Sequence, residues 1–178
     1  MNTSSRFIVA LHILTYIASR IVAFGKEATG LIRSDELATS VNTNPVFIRR
    51  LVAQMGTAGL IHAERGRNGG ITLAKAPGQI TLLDIYDAVE KGSIFQMHYN
   101  DPSAHCAVGS NIQDCVCGIF TEAEDAMRAV LAKRNLEEIA KEIIELSGVM
   151  KMVEAGKSFE EIRAVMMERA GMQLPGIS

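Results

Sequence analysis

The stretch from Asn44 to Ala74, NPVFIRRLVAQMGTAGLIHAERGRNGGITLA, constrains the fold more than any other. It reads as a helix, a tight stop and a short glycine-tipped hairpin. Asn44 suits an N-cap, and Pro45 suits the first helical position, where a missing N–H costs nothing. Phe47, Ile48, Leu51, Val52 and Met55 recur at helical spacing and make one apolar face. Arg49, Arg50 and Gln54 fall elsewhere on the helix. Gly59 reads as a left-handed stop. Leu60–Glu64 and Ile71–Ala74 then read as two short strands. The turn between them, Arg65-Gly66-Arg67-Asn68-Gly69-Gly70, supplies three glycines for backbone with positive φ and carries two arginines. An exposed arginine-bearing helix followed by a basic hairpin suits one helix in a DNA groove and a wing on the flanking phosphates.

The charge distribution supports that reading. The net charge is −2 over 178 residues. Residues 1–80 hold nine Lys/Arg against four Asp/Glu, whereas residues 81–178 hold nine against sixteen. A basic half joined to an acidic half fits polyanion binding by one part of the chain. The three cysteines are an odd number, which argues against a disulfide framework and for a reducing compartment. Residues 7–24 are apolar enough to raise a membrane question. His12, Ser19 and Arg20 interrupt the run, so it reads as a buried helix with Phe7, Leu11, Leu14, Ala18 and Ile21/Val22 inward. Only Arg6 precedes the run, and no clean cleavage pattern follows. The expectation is a cytoplasmic protein without membrane association.

Ser34-Asp35-Glu36 opens a short helix burying Leu37, Ala38 and Val41, and Val41-Asn42-Thr43 turns into the Asn44 helix. Helix, short turn, helix, hairpin is a winged helix-turn-helix. Thr81-Leu82-Leu83-Asp84 resembles a capping box for a helix reaching about Glu90. After a loop, Val108–Lys133 reads as one long helix. Ile112, Val116, Ile119, Ala123, Ala126 and Val130 step by 4, 3, 4, 3 and 4, a heptad seam. Phe120, Met127 and Leu131 form a second stripe. Two stripes need two surfaces: the rest of the chain, and a second copy of the same helix. Packing inside a one-chain bundle is the alternative. Asn135 opens a helix to about Val149, and Ser158–Glu161 is a capping box for a last helix with Ile162, Val165, Met166 and Met167 inward. Gly171–Ser178 reads as a tail. The expected fold class is mainly α: a winged helix-turn-helix domain with a small two-stranded wing and a long C-terminal dimerisation helix. The division is 1–92 for DNA binding, 93–107 for an effector loop, 108–155 for dimerisation, and 156–178 for the C-terminal helix and tail.

The order and spacing of Leu37-Ala38, Phe47-Ile48, Leu51, Gly59-Leu60-Ile61, Arg65-Gly66, Gly69-Gly70, Leu73-Ala74, Pro77, Ile80–Ile85 and Ala88-Val89 carry a resemblance. Over residues 1–92 the chain resembles the Rrf-type family of bacterial winged-helix transcription regulators, among them iron–sulfur, nitric-oxide and cysteine-metabolism regulators. Cys106–Gly109, Ile112-Gln113, Phe120, Ala123-Glu124, Ala126-Met127 and Leu136 look like a subgroup with a longer dimer helix. The resemblance implies a homodimer on a pseudo-palindromic operator in double-stranded DNA, usually as a repressor. It maps base contacts to Asn44, Val46 and Arg49, with Arg50 nearby. It maps the wing arginine to Arg65 and the glycine tip to Gly66, Gly69 and Gly70. Arg67 and Asn68 join Arg65 as expected phosphate or minor-groove contacts. Some members carry glutamate where this chain has Arg49. Arginine favours guanine edges or phosphate, whereas a carboxylate accepts from cytosine, so the operator is expected to differ.

The resemblance also implies three loop cysteines in cluster-binding members. Only Cys106 matches such a position. The upstream loop offers His98 and His105 but no cysteine. Cys115 and Cys117 stand about 200° apart around a helix, so they read as packing groups. No cofactor or metal is expected. An iron–sulfur cluster using Cys106, a histidine or a partner-chain residue is the alternative. Cys106, beside His105 at the start of a helix, is the candidate thiol sensor, and a buried structural cysteine is the competing reading. His12 and His62 read as core or surface groups. Arg6, Lys26 and Arg33 read as phosphate contacts or solvated side chains. Neither a nucleotide loop nor a nucleophile–base spacing is present, so the chain is expected not to be an enzyme. A winged helix used only for protein contacts is the other reading of the fold.

Overall fold

A computed structural model describes residues 5–25, 30–64, 66 and 69–169, without the side chains of Met167 and Arg169. Its elements are α1 (Arg6–Phe24), α2 (Ser34–Val41), α3 (Pro45–Thr57), β1 (Ile61–Ala63), β2 (Ile71–Leu73), α4 (Leu82–Val89), α5 (Ile112–Ala132), α6 (Leu136–Ser147), α7 (Val149–Glu154) and α8 (Phe159–Arg169). The mainly helical, two-stranded winged fold expected from the sequence is the one observed.

Helix α1 is the hub. It touches α2, α3, α4, β2 and α7, and packs most extensively on α6. That crowding is why its buried face is wider than one stripe. Leu14 and Ala18 are buried as expected, but Ala10, Ile13 and Ile17 are equally deep. Phe7, Leu11, Ile21 and Val22 sit at the core's edge. Helix α1 has the length and hydropathy of a membrane span. It spends its apolar face on the core. Ile32, Leu37, Ile48, Leu51, Met55, Leu60, Ile80 and Ile85 close around it.

The helix ends follow local chemistry. Asn44 Oδ1 accepts the Val46 N–H at 2.8 Å, so the cap reading of α3 holds. At its other end Gly59 has φ +69. The Leu60 N–H reaches the Met55 carbonyl at 3.0 Å and the Gly59 N–H reaches Gly56, the paired bonds of a Schellman stop. Thr81 and Asp84 exchange side-chain and backbone bonds at 2.8 and 3.0 Å to open α4. Ser158 and Glu161 do the same before α8. Ser34 is the first residue inside α2, and Arg33 occupies the cap position. The helix expected to run to Val149 breaks at Gly148, whose φ of +72 ends α6 and begins α7.

Sequence division grouped α6 with dimerisation. In the structure Leu136, Ala140 and Ile144 are buried, and the first two belong to the core that residues 10–89 build. Backbone bonds from Leu136 N–H to Ile80 and from Leu82 N–H to Arg134 tie the start of α6 to the start of α4.

Candidate nucleic-acid interface

Helix α3 is two-faced. Ile48, Leu51, Val52 and Met55 are buried. Val46, Arg49, Arg50 and Ala53 recur at spacings of three, one and three on the opposite side, and all are exposed. Val46 is 64% exposed although apolar. The sequence reading missed Ala53. Its small side chain at the C-terminal end of the open stripe leaves room for a close surface.

Neither Arg49 nor Arg50 has a hydrogen-bond or ion-pair partner among the described residues. Other guanidiniums are engaged. Arg6 holds Glu90 at 2.9 Å, and Arg20 holds Glu36 at 3.0 Å. Arg128 grips both oxygens of Asp87 at 2.8 Å, and Arg134 pairs with Glu138 and Glu142. Arg6, read as a phosphate contact or solvated, is thus a tie between α1 and the end of α4. Asn44 is exposed beside this stripe, but capping occupies its carbonyl oxygen, leaving its amide N–H₂ to recognise a ligand.

The hairpin is antiparallel in register, Ile61 opposite Leu73, His62 opposite Thr72 and Ala63 opposite Ile71. Strand β1 is one residue shorter at each end than expected, and β2 lacks the expected Ala74. A two-way bridge between Ile32 and Ile71, at 3.2 and 2.8 Å, adds the segment before α2 to its edge. Gly66 has φ +110. Gly70 does not have positive φ, and its requirement is steric. A Cβ there would lie 2.6 Å from Leu31 Cβ and 3.1 Å from Leu31 backbone. The Gly69 N–H donates to the Gly66 carbonyl at 3.1 Å, closing the turn. Arg65, Arg67 and Asn68, the expected wing contacts, lie outside the described residues, as do Lys26, residues 171–178 and the side chain of Met167.

Helix α5 buries none of its residues in this chain. Ile112 and Val116 of the seam are half-buried. Ala123 and Ala126 are exposed, and Ile119 and Val130 are 63% and 62% exposed. The second stripe differs. Phe120, Met127 and Leu131 are half-buried, and Phe120 stacks on Phe95 with ring centroids 4.7 Å apart.

Cys106 lies in a run of turns before α5 and is exposed, as are Cys115 and Cys117. The latter two therefore do not pack within their own chain. The Cys106 thiol accepts from the backbone N–H groups of Gly109 and Val108, which hold its pKa below the usual thiol value. The His105 ring does not contribute to that shift. His12 Nε2 meets Ser40 Oγ at 3.0 Å, and His62 is exposed on β1.

Residues 3–142 match the Rrf2 family, described as an iron-dependent transcriptional regulator. The chain belongs to the Rrf2 family. The HTH-type transcriptional regulator YwnA of Bacillus subtilis (strain 168) is 36% identical over 76% of this chain and 95% of its own. The regulator NsrR of Bacillus licheniformis is 25% identical over 73% of this chain and 85% of its own. A solved structure described as a DNA-binding protein superposes with a TM-score of 0.58 at 32% identity, covering 76% of this chain and 98% of that one. CymR, the cysteine regulator of B. subtilis, shares the fold with a TM-score of 0.56 at 23% identity, over 79% of this chain and 97% of that one.

This Rrf2 protein is therefore a DNA-binding transcriptional regulator with a winged helix-turn-helix, as its sequence led one to expect. Family membership raises the question of iron. Among the described residues no three His, Cys, Asp or Glu side chains gather to hold a metal. An iron–sulfur cluster needs several thiolates converging on it, and here Cys106 sits in the turns while Cys115 and Cys117 point apart on α5. The donor set of one chain does not fit such a cluster.

Proposed function

We propose that this regulator acts as a homodimer on a pseudo-palindromic operator, as a repressor whose grip responds to thiol oxidation. The observation that carries the reading is the open stripe of α3, with two unpaired guanidiniums on a helix whose other face is buried. Arg49 and Arg50 enter or line the major groove, with Asn44 and Val46 beside them. Arg65, Arg67 and Asn68, with Gly66, Gly69 and Gly70 as the glycine tip, meet phosphate or the minor groove. The uncovered seam of α5 pairs two copies, which presents two recognition helices about 34 Å apart. Residues 1–92 bind DNA, residues 93–107 form the sensor loop, and the seam within 108–155 dimerises. Transcription regulators of this kind work in the cytoplasm.

Cys106 is the sensor residue. Its thiol is exposed and its thiolate is favoured by backbone donors, the two conditions for selective oxidation. Selecting genomic fragments bound by reduced and by mildly oxidised protein tests both halves of the reading. Enrichment of an inverted-repeat sequence, lost on oxidation of wild type but retained by Cys106→Ser, is the expected result. Equal behaviour of the two proteins removes Cys106 from the mechanism. Failure to enrich any sequence contradicts operator binding.

A further inference from the structure

A cavity of about 360 Å³ lies between α1, α2 and the C-terminal helices. Pockets that take small organic ligands begin at about 300 Å³. One wall comes from α1 and α2, inside the stretch that matches the family. The other comes from residues 143–166, beyond that match. The lining is mostly apolar, with Phe24, Ile144, Phe159 and Met166 prominent.

Its polar groups are unevenly satisfied. Glu36 Oε1 accepts the Tyr16 O–H at 2.6 Å and Arg20 Nη1 at 3.0 Å. The Arg20 guanidinium lies 3.7 Å from the centroid of the Phe159 ring. Its Nε is buried without a partner, and so is the Ser19 hydroxyl. Both residues stand on the cavity wall. Arg163, also on the wall, reaches an exposed Glu160 at 3.7 Å. Two guanidiniums against one carboxylate leave the wall with net positive charge. The Arg20 Nε and the Ser19 hydroxyl are sealed from the cavity space, so an entering anion meets the parts of the two guanidiniums that stay accessible, with the Arg20 side chain 13% and the Arg163 side chain 31% exposed.

We propose that this cavity is an effector site for a small organic monoanion, a carboxylate with an apolar body. Its head pairs with the accessible edges of the Arg20 and Arg163 guanidiniums, and its body lies among Phe24, Ile144, Phe159 and Met166. The Arg20 guanidinium also holds Glu36 on α2, the helix that leads into α3. Occupancy is therefore coupled to the support of the recognition helix. This regulatory half rests on the operator-binding reading, whereas ligand binding does not.

Octanoate is a suitable probe, titrated calorimetrically into the full chain without DNA, with octylamine as the charge-reversed control. Saturable binding of octanoate at one per chain, and none of octylamine, is expected. Ala23→Phe, which fills the cavity from α1, abolishes binding. Arg20→Met weakens it about tenfold, the scale of one charged hydrogen bond. Where Arg20→Met fails to fold for want of its Glu36 contact, Arg163→Met and Ala23→Phe carry the test. Equal binding of octylamine, absence of saturable octanoate binding, or unchanged binding by Ala23→Phe overturns the site. Operator affinity measured with and without octanoate tests the coupling. A shift in wild type that Ala23→Phe lacks supports it, and an unshifted wild type overturns the effector role.

Discussion

Helices α3 and α5 each carry a solvent-facing stripe at helical spacing, yet the two stripes ask for different partners. Helix α3 anchors one side completely, through Ile48, Leu51 and Met55, and offers Arg49 and Arg50 on the other. Helix α5 anchors nothing fully and offers Ile119, Ala123, Ala126 and Val130. Unpaired guanidinium on a rigid helix is stable in water, and it gains when it meets phosphate or a guanine edge. An uncovered aliphatic seam is in the opposite position, since water is its poor solvent and another such seam its good one. The contrast separates the surface we propose for DNA from the surface we propose for a second copy of the chain.

The largest effect is expected from breaking the α5 half of this contrast. Ile119→Glu with Val130→Glu places uncompensated carboxylates in the seam. Burying an unpaired charge costs several kcal/mol per ion, so self-association weakens by on the order of a thousandfold or more. Sedimentation velocity reads this as a monomer, and operator affinity falls with it because half-sites are no longer linked. Because neither side chain belongs to the core of its own chain, the monomer keeps its helical signal. A dimer that persists undiminished would reassign the seam.

Breaking the α3 half comes next. Arg49→Ala with Arg50→Ala removes contacts worth about 1–3 kcal/mol each where they read bases. The melting temperature stays put, since neither guanidinium holds a partner among the described residues. The salt dependence of binding becomes shallower if the contacts are to phosphate. Arg128→Ala is the matched control. It deletes a guanidinium already committed to Asp87, and operator affinity is expected to stay at the wild-type level. Loss of affinity in the control alone would reverse the assignment of surfaces.

Much of this was readable in the chain because local chemistry and global packing agree there. Asn44-Pro45, Gly59, Thr81–Asp84 and Ser158–Glu161 are short-range devices whose partners lie within six residues, so sequence exposes them. Period gave the buried stripe of α3. What stayed hidden depends on contacts distant in sequence. Gly70 looked like a turn glycine because turns are the usual reason for glycine. Its real constraint is Leu31, nearly forty residues earlier. Arg20 read as an interruption of an apolar run, and only the fold brings it to Glu36 and Phe159. Likewise the return of α6 to α1 has no signature in the helix itself, whose apolar face would suit either a partner chain or its own core.

A smaller effect sharpens the contrast from the side of pre-organisation. Asn44→Ala removes the cap of α3, at a cost of about 0.5–2 kcal/mol in stability. If Asn44 also offers its amide to DNA, operator affinity falls beyond what the melting temperature predicts. Asn44→Ser keeps a capping oxygen but loses the amide donors. Restored stability with unrestored affinity is therefore the expected pattern, read by thermal melts alongside titrations.

The smallest effect concerns how α2, the platform under α3, is held to α1. His12 bonds Ser40 across these two helices, and burial lowers its pKa below the ordinary 6.5. The unfolded chain then binds the proton more readily than the folded one. Stability contributed by neutral His12 is present above about pH 6.5 and declines as pH falls through the interval between the unfolded and folded pKa values. The carboxylate of Glu161, whose pKa is lowered by the Ser158 N–H and hydroxyl, adds a slope of the same sign at more acid pH. The two are separated by a His12→Gln variant. Melts in steps from neutral to pH 5 should show wild type losing more stability than His12→Gln, with the curves running parallel below that range. Parallel curves throughout would mean that His12 titrates alike in both states, and that the α1–α2 contact does not depend on its neutral ring.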